Sequence, residues 1–324
     1  MSSHGAPQRL WRGTAPPPQP TAPIPRCSNS QDPRRGARCR SAGGGGLDRI
    51  VGKAAAAAEG APAAVRAPEG LARRLAFSFS PSGLLFPYYI GVLQALRETD
   101  LVTSDTPVSG SSGGCLLAVF NACGIAVEDI RKTNRLINTR LLARPGDKIL
   151  GEVVKDAMLD LLPNDVHTTV SNRIAIAITR LAPFPWPLVV EDFLSKEDLV
   201  DVMVASTYMP GMAGTNLGVA TRHGLAGDGM LARFYPEVPE AYRDRVKTTI
   251  KVCPAPSEAR PWFVGSADIS PDLRSPEDRY PKDKYYHYAS EPFDLDILDD
   301  FIRDGYNDTL TWAQRFLQTS RQYN

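Results

Sequence analysis

Residues 75–120 read LAFSFSPSGLLFPYYIGVLQALRETDLVTSDTPVSGSSGGCLLAVF, and this stretch decides the fold of the chain. Gly110 to Gly114 match the G-x-S-x-G pattern, with a predicted strand over Thr106–Ser109 before them and a predicted helix over Cys115–Cys123 after them. Small residues permit a sharp strand-to-helix turn that presents a serine beside the positive end of a helix. Ser112 is therefore the candidate nucleophile. The alternatives are a glycine- and serine-rich loop that fits by chance, or a phosphate-binding turn.

A second glycine turn precedes the serine turn. Residues 76–79 predict a short strand, residues 80–83 break it, and a mostly buried helix is predicted from Leu85 onward. Together with the serine turn they form a right-handed βαβ unit, which places both turns at the carboxyl edge of a parallel sheet. The backbone N–H groups of Gly83 and Leu84 are then candidates for an oxyanion hole. The alternative is an ordinary βα turn.

Four segments in order resemble the patatin-like phospholipase family. Phe77–Val92 is similar to the glycine-rich oxyanion segment of that family, Gly110–Gly114 to its nucleophile elbow, and Asp228-Gly229 to the Asp-Gly of its catalytic dyad. Glu191–Pro210 is similar to the helix and proline turn that precede that aspartate. The resemblance covers Leu75–Tyr235 and implies a three-layer α/β/α fold with a mainly parallel central sheet. It also implies a lipid acyl hydrolase without cofactor or metal, with phospholipid, galactolipid or triacylglycerol as substrate.

The chain departs from the family pattern at three positions. Pro81 and Phe86 stand where the oxyanion segment has its first and last glycines, and Met230 stands where Gly or Ala is usual after the Asp-Gly. Because proline has no N–H to donate, an oxyanion hole must depend on Gly83 and its neighbours.

Asp228 is the candidate base. A carboxylate can accept the serine proton when desolvation raises its proton affinity, although an Asp-Gly pair on its own is more often a turn. An α/β-hydrolase with Ser112, Asp228 and His287 is the alternative, since the three occur in that fold's order. Only about 37 residues separate Leu75 from Ser112, too few for the strands that precede the nucleophile there. A catalytically silent lipid-binding protein is the third possibility.

The charge is distributed unevenly along the chain. Residues 1–46 carry seven arginines and one acid, while the whole chain has 37 basic and 36 acidic residues, so the remainder is mildly acidic. That remainder gives no indication of nucleic-acid binding. We expect residues 1–70 to be a disordered transit peptide and linker, which favours a plastid location. A plain tail on a protein of the cytoplasm, a membrane or a lipid droplet is the alternative.

We expect a catalytic domain over residues 71–265, and over 266–324 a C-terminal loop and helix that pack on it. The pattern predicts a helix over Val127–Leu142, an alternating strand over Arg173–Leu181, a Gly-rich loop over 211–227, a strand over Val246–Cys253 and a helix from Leu295 to about Leu317. Ser195 and Asp198 predict the start of a helix that ends before Pro210.

The sequence has no segment with the roughly 18 apolar residues of a membrane span, so contact with a membrane or droplet would be peripheral. The aromatic segment Leu181–Pro187 is either an interfacial loop or a packed surface loop. Four acids, Asp294, Asp296, Asp299 and Asp300, favour the solvated start of a helix over a cation site. The five cysteines lack metal-ligand spacing and indicate free thiols.

Overall fold

The computed structural model describes residues 66–322. Its strands are β1 (Leu75–Phe79), β2 (Val108–Ser111), β3 (Ile174–Arg180), β4 (Trp186–Val190), β5 (Val219–Thr221), β6 (Gly224–Gly227) and β7 (Thr248–Val252). Its helices are α1 (Phe86–Glu98), α2 (Gly113–Ala122), α3 (Val127–Leu142), α4 (Leu150–Leu161), α5 (Val166–Val170), α6 (Lys196–Ser206), α7 (Lys282–Ser290) and α8 (Leu295–Gln322).

The strands form one mixed sheet with the order β5-β6-β3-β2-β1-β7, and β4 pairs with β3. Strands β7, β1, β2 and β3 are parallel, whereas β4 and β6 run antiparallel to β3. The predicted mixed α/β fold with a mainly parallel sheet is confirmed, as is the helical C-terminus. The predicted transit peptide and linker lie almost wholly outside the described residues, and their nature stays a prediction.

Strand β3 alternates isoleucine with alanine, and both kinds of side chain are buried. Ile174, Ile176 and Ile178 alternate with Ala175 and Ala177, but all five are fully buried. The predicted alternating strand is present, and its alternation is one of large and small side chains on two covered faces.

The face with large side chains packs against helices. Phe77 of β1 contacts Trp312 of α8, and Phe79 contacts Tyr89 of α1, with ring centroids 6.3 and 5.0 Å apart. On the opposite face the hydroxyls of Ser78 and Ser109 each donate a hydrogen bond of 2.7 Å to the carbonyl of Pro236. Small residues on that face let the segment that follows Asp228 approach the sheet closely.

Helices α1 and α8 cross at two glycines. A Cβ on Gly91 would lie 1.9 Å from the carbonyl oxygen of Ile302, and one on Gly305 would lie 2.0 Å from that of Tyr88. No larger residue fits without separating the helices. The crossing fixes α8 against the catalytic part of the fold.

The end of β3 brings two distant segments together. Ala177 pairs with Ser111 of β2, whereas Thr179, two residues further on, pairs with Gly227 of β6. Because β4 occupies the other edge of β3 throughout this stretch, β6 lies on the same edge as β2 and continues where β2 ends. The residues that follow these strands are Ser112 and Asp228.

Three predicted boundaries were wrong. The strand before the serine is Val108–Ser111 and extends into the motif itself. The Gly-rich segment 211–227 contains the hairpin of β5 and β6, and β4 begins at Trp186 inside the segment expected to be irregular. Pro187 is tolerated there because β4 pairs only with β3 and is an edge strand.

Candidate active site

Ser112 lies in a strained turn between β2 and α2. Its φ of 52° and ψ of −131° are unusual for a residue with a side chain. Gly110 and Gly114 make the turn possible, since a Cβ on either would lie 2.3 or 2.6 Å from backbone atoms. The predicted elbow geometry is therefore present, with the serine at the amino end of α2.

The Ser112 hydroxyl donates a hydrogen bond of 2.9 Å to Oδ2 of Asp228. The other carboxylate oxygen of Asp228 accepts the backbone N–H of Met230 at 2.8 Å, and the Thr179 hydroxyl donates to the Asp228 carbonyl at 2.7 Å. Gly229 allows this approach, because a Cβ there would lie 2.2 Å from the carbonyl oxygen of Ala177. Both predicted catalytic residues thus meet directly.

Burial raises the pKa of Asp228 to about 6, against the opposing effect of the hydrogen bonds from Met230 and Ser112. The residue is only 4% exposed, and no lysine or arginine in the described part of the chain donates to its carboxylate. Desolvation without a cationic partner increases the proton affinity of the carboxylate. A carboxylate with this pKa is ionised at neutral pH and can still accept a proton.

Ser206, at the end of α6, holds the elbow in place and was not anticipated from the sequence. Its hydroxyl accepts the backbone N–H of Ser112 at 2.9 Å and donates to the carbonyl of Ala177 at 2.7 Å. The residue is fully buried. A serine at the last position of an apolar helix is the only local signal, and it does not identify a partner 94 residues away.

Gly83 and Leu84 lie beside the elbow, as predicted. Gly83 has a φ of 52°, and a Cβ there would lie 2.2 Å from the carbonyl oxygen of Ala289. A Cβ on Gly113, next to Ser112, would lie 2.0 Å from the hydroxyl of Ser82. The two glycine turns are thus in contact, and Gly83 lines both of the clefts described next.

Two clefts reach Ser112 from different sides. The first cleft runs between helices α1 to α4 and is lined mainly by apolar side chains: Leu84, Phe86, Leu116, Phe120, Ile130, Ile137, Leu150, Val154, Met158 and Met212. The second cleft is wider and is lined by Asp228 and by Pro81, Met209, Met230, Phe234, Arg260, Pro261, Tyr285, Tyr286 and Ser290, among others. The clefts share Gly83, Ser112 and Met212.

No histidine among residues 66–322 shares a hydrogen bond with Ser112 or Asp228. His287 lies on α7 against Tyr288, with ring centroids 5.4 Å apart. His223 lies in the turn between β5 and β6, where burial and then Arg222 lower its pKa. The Ser112–Asp228 hydrogen bond therefore forms without an imidazole.

The described residues contain no group of three or more His, Cys, Asp and Glu side chains suited to a metal ion. Asp299 pairs instead with Arg135, and Asp300 with Arg303. Between residues 66 and 322, no helix combines the length and apolar character needed to span a bilayer.

Residues 78–237 match the family model described as patatin-like phospholipase. Patatin-like phospholipase domain-containing protein 2 from Rattus norvegicus is 32% identical over 203 residues, which cover 60% of this chain and 39% of that protein. The 1-acylglycerol-3-phosphate O-acyltransferase from Mus musculus is 26% identical over 210 residues, 63% of this chain and 47% of that one. VipD from Legionella pneumophila, a solved structure, has a TM-score of 0.44 and 13% identity over 77% of this chain and 68% of its own.

The site is that of an α/β protein in which a serine at an elbow turn donates a hydrogen bond directly to an aspartate. The region 78–237 of the chain belongs to the patatin-like phospholipase family. The chain spans less than half the length of both relatives described above.

Proposed function

We propose that the chain is a lipid acyl hydrolase that cleaves fatty acyl esters through an acyl-enzyme on Ser112. The observation that carries this proposal is the 2.9 Å hydrogen bond from the Ser112 hydroxyl to a buried carboxylate, made at a strained elbow where two clefts meet. Family membership supports the same reaction class.

In the first half-reaction Asp228 accepts the hydroxyl proton while Oγ of Ser112 attacks the ester carbonyl. The negative charge that develops on the carbonyl oxygen is stabilised by N–H groups of the turn at Gly83 and Leu84 and by the amino end of α2. The ester C–O bond then breaks, and Asp228 returns the proton to the departing alcohol. The acyl group remains on Ser112.

In the second half-reaction water attacks the acyl-enzyme, and Asp228 accepts its proton. Collapse of the tetrahedral intermediate breaks the bond to Oγ, which recovers the proton, and the fatty acid is released. An alcohol in place of water gives acyl transfer with the same atoms in the same roles. The second cleft favours this variant as a second candidate, because it reaches Ser112 independently of the first, and an O-acyltransferase is among the relatives.

Both clefts are lined mainly by apolar side chains and suit the acyl chains of a lipid. The second cleft also contains Asp228, beside which the alcohol portion of a glycerolipid is released. A substrate of this kind lies in a membrane or lipid droplet, so the protein works at that surface. The ester is common to phospholipid, galactolipid and triacylglycerol.

Replacing Ser112 tests the proposal. We expect Ser112→Ala to abolish ester hydrolysis, because no other hydroxyl in the described residues donates to the carboxylate of Asp228. Ser111→Ala is the matched control: its hydroxyl is buried and has no hydrogen-bond partner, so turnover should stay within about tenfold of wild type. Activity that survives Ser112→Ala would refute the mechanism. A wild-type protein that hydrolyses no ester would favour the catalytically silent lipid-binding protein that Pro81 and Phe86 suggest.

The plastid location is a separate proposal, supported only by the arginine-rich composition of residues 1–46. Fusing residues 1–72 to a fluorescent reporter in a photosynthetic cell tests it. Plastid import is expected, and a diffuse cytosolic signal would refute it.

A further inference from the structure

Two aromatic side chains stand exposed at the mouth of the second cleft. Trp262 is 94% exposed and Phe263 71% exposed, and they follow directly on Pro261, which lines the cleft. The segment reaches this place because β7 runs parallel to β1 and ends at the same edge of the sheet. Water therefore surrounds a large apolar area next to the site.

Two more apolar side chains border the same opening. Leu231, 70% exposed, follows Met230, which lines the cleft just beyond Asp228. Tyr286 of α7 lines the cleft and is 51% exposed. We call Leu231, Trp262, Phe263 and Tyr286 the apolar rim.

The hairpin between β3 and β4 extends this apolar character along the edge. Phe184, in the connection, is 76% exposed. Trp186, the first residue of β4, is 62% exposed and pairs with Arg180 at the carboxyl end of β3. The backbone N–H of Leu181 donates to the carbonyl of Leu225, which ties the hairpin to the strand that leads to Asp228.

Three of the segments that carry these exposed side chains have no charge of their own. Residues 181–187, 229–232 and 261–263 contain no Lys, Arg, Asp or Glu, whereas α7, which carries Tyr286, contains Lys282, Asp283 and Lys284. An acidic or basic partner would find no complementary side chain in the three uncharged segments. Tryptophan and phenylalanine are the side chains that enter the boundary between acyl chains and head groups.

We propose that the apolar rim docks on a lipid surface of neutral or zwitterionic head groups and inserts Trp262 and Phe263 into it. The inference rests on the proposed function, because a substrate with a long acyl chain must pass from such a surface into the clefts. Insertion at the rim places the cleft mouth against the lipid phase. Binding is driven by apolar area and not by charge, so it is insensitive to salt.

The chain supplies a matched control at the opposite edge of the sheet. Leu194 is 71% exposed, as much as Phe263. It lies near the amino end of β3, because the backbone N–H of Asn172 donates to the carbonyl of Glu191. If any exposed apolar side chain bound lipid, replacing Leu194 or Phe263 would weaken lipid binding equally. If the rim docks on the lipid, only the replacement of Phe263 weakens binding.

The test measures binding to phosphatidylcholine vesicles by flotation, in a Ser112→Ala background so that turnover does not alter the vesicles. Trp262→Ser combined with Phe263→Ser should weaken binding at least about tenfold. Vesicle binding by Leu194→Ser should stay within about twofold of that of the parent protein. Binding by the parent protein should also change by less than about twofold when salt rises from about 0.05 to about 0.5 M. Unchanged binding by the rim variant, an equal loss in Leu194→Ser, or release by salt would each overturn the proposal.

Two further measurements separate this proposal from others. With Ser112 intact, hydrolysis of a soluble short-chain ester tests the proposed function by itself, while vesicle binding by Ser112→Ala tests the rim whether or not any ester is cleaved. Size-exclusion chromatography identifies the competing occupant, a second copy of the chain. A wild-type dimer that the rim variant converts to a monomer would overturn the lipid proposal.

Discussion

Asp228 and Asp308 are two buried aspartates whose pKa burial raises to about 6, yet their surroundings differ. Asp308 is a residue of α8 that faces α1, where it accepts from the Tyr88 hydroxyl at 2.8 Å and from Nε of Arg274 at 2.9 Å. Asp228 has no cationic partner within residues 66–322 and accepts from a serine hydroxyl in a strained turn that faces two clefts.

The difference shows that a raised pKa does not by itself locate a catalytic group. The carboxylate of Asp308 is enclosed by a tyrosine and an arginine that it holds together, and it is 0% exposed. Burial raises the pKa of Asp228 in the same direction, but its carboxylate is next to a nucleophile and an opening for substrate. Matched Asp-to-Asn substitutions should separate the catalytic role from the structural one.

The largest effect is expected for Asp228→Asn on turnover. Loss of the base should lower kcat/KM by about 10²–10⁴, because the amide cannot accept the Ser112 proton. Steady-state hydrolysis of a soluble ester measures it. Asp308→Asn is the control and should stay within about tenfold as long as circular dichroism shows a folded protein. Equal losses in the two variants would contradict the contrast.

Asp308→Asn should act on stability instead. Replacing the carboxylate removes a buried charge partner of Arg274, which retains Asp304 at 2.9 Å. We expect the free energy of unfolding to fall because Arg274 loses a buried partner, but by less than about 3 kcal/mol, the lower end for a broken buried pair, since burial raises the pKa of Asp308 and makes its ionised form costly in the folded state. Urea unfolding at neutral pH measures the change. A variant as stable as wild type would show that the α1–α8 contact does not depend on this ion pair.

The stability of Asp228→Asn relative to wild type should increase with pH. Since the folded-state pKa of Asp228, about 6, lies above the ordinary value of 3.8, ionisation favours the unfolded state. The free energy of unfolding of wild type therefore falls as pH rises from about 4 through about 6, whereas that of Asp228→Asn does not fall for this reason. The free energy of unfolding of the variant relative to wild type should rise by up to about 3 kcal/mol between pH 4 and pH 8. A constant difference would mean that Asp228 has an ordinary pKa.

The smallest effects are expected at the histidines. Neither His223 nor His287 shares a hydrogen bond with the serine or the aspartate, so each replacement by alanine should leave turnover within about tenfold of wild type. Initial rates on the soluble ester used for Asp228→Asn decide this. Collapse of activity in a folded His287→Ala protein would restore the α/β-hydrolase alternative.

The sequence predicted what local chemistry determines. The elbow at Ser112 depends on neighbouring glycines, Val127–Leu142 is helical as its pattern indicates, and Ser195 caps α6 by accepting the N–H of Asp198 at 3.1 Å. These features need only residues that are close along the chain.

Contacts between distant residues left no such signal. Ser206 reaches Ser112 across 94 positions, and the β5–β6 hairpin is short and rich in glycine, so neither produces a periodic pattern. The Ser112–Asp228 pair could be proposed only from the family resemblance. Its physical basis, the continuation of β2 by β6 along one edge of β3, becomes visible only in three dimensions.

Fluorophosphonate labelling read by mass spectrometry tests whether Asp228 activates Ser112. We expect a single adduct on Ser112, formed at a rate that rises with pH through about 6 as Asp228 ionises and that falls by about 10² or more in Asp228→Asn. An adduct on Ser111, no adduct on an active protein, or a labelling rate unchanged in Asp228→Asn would contradict this expectation.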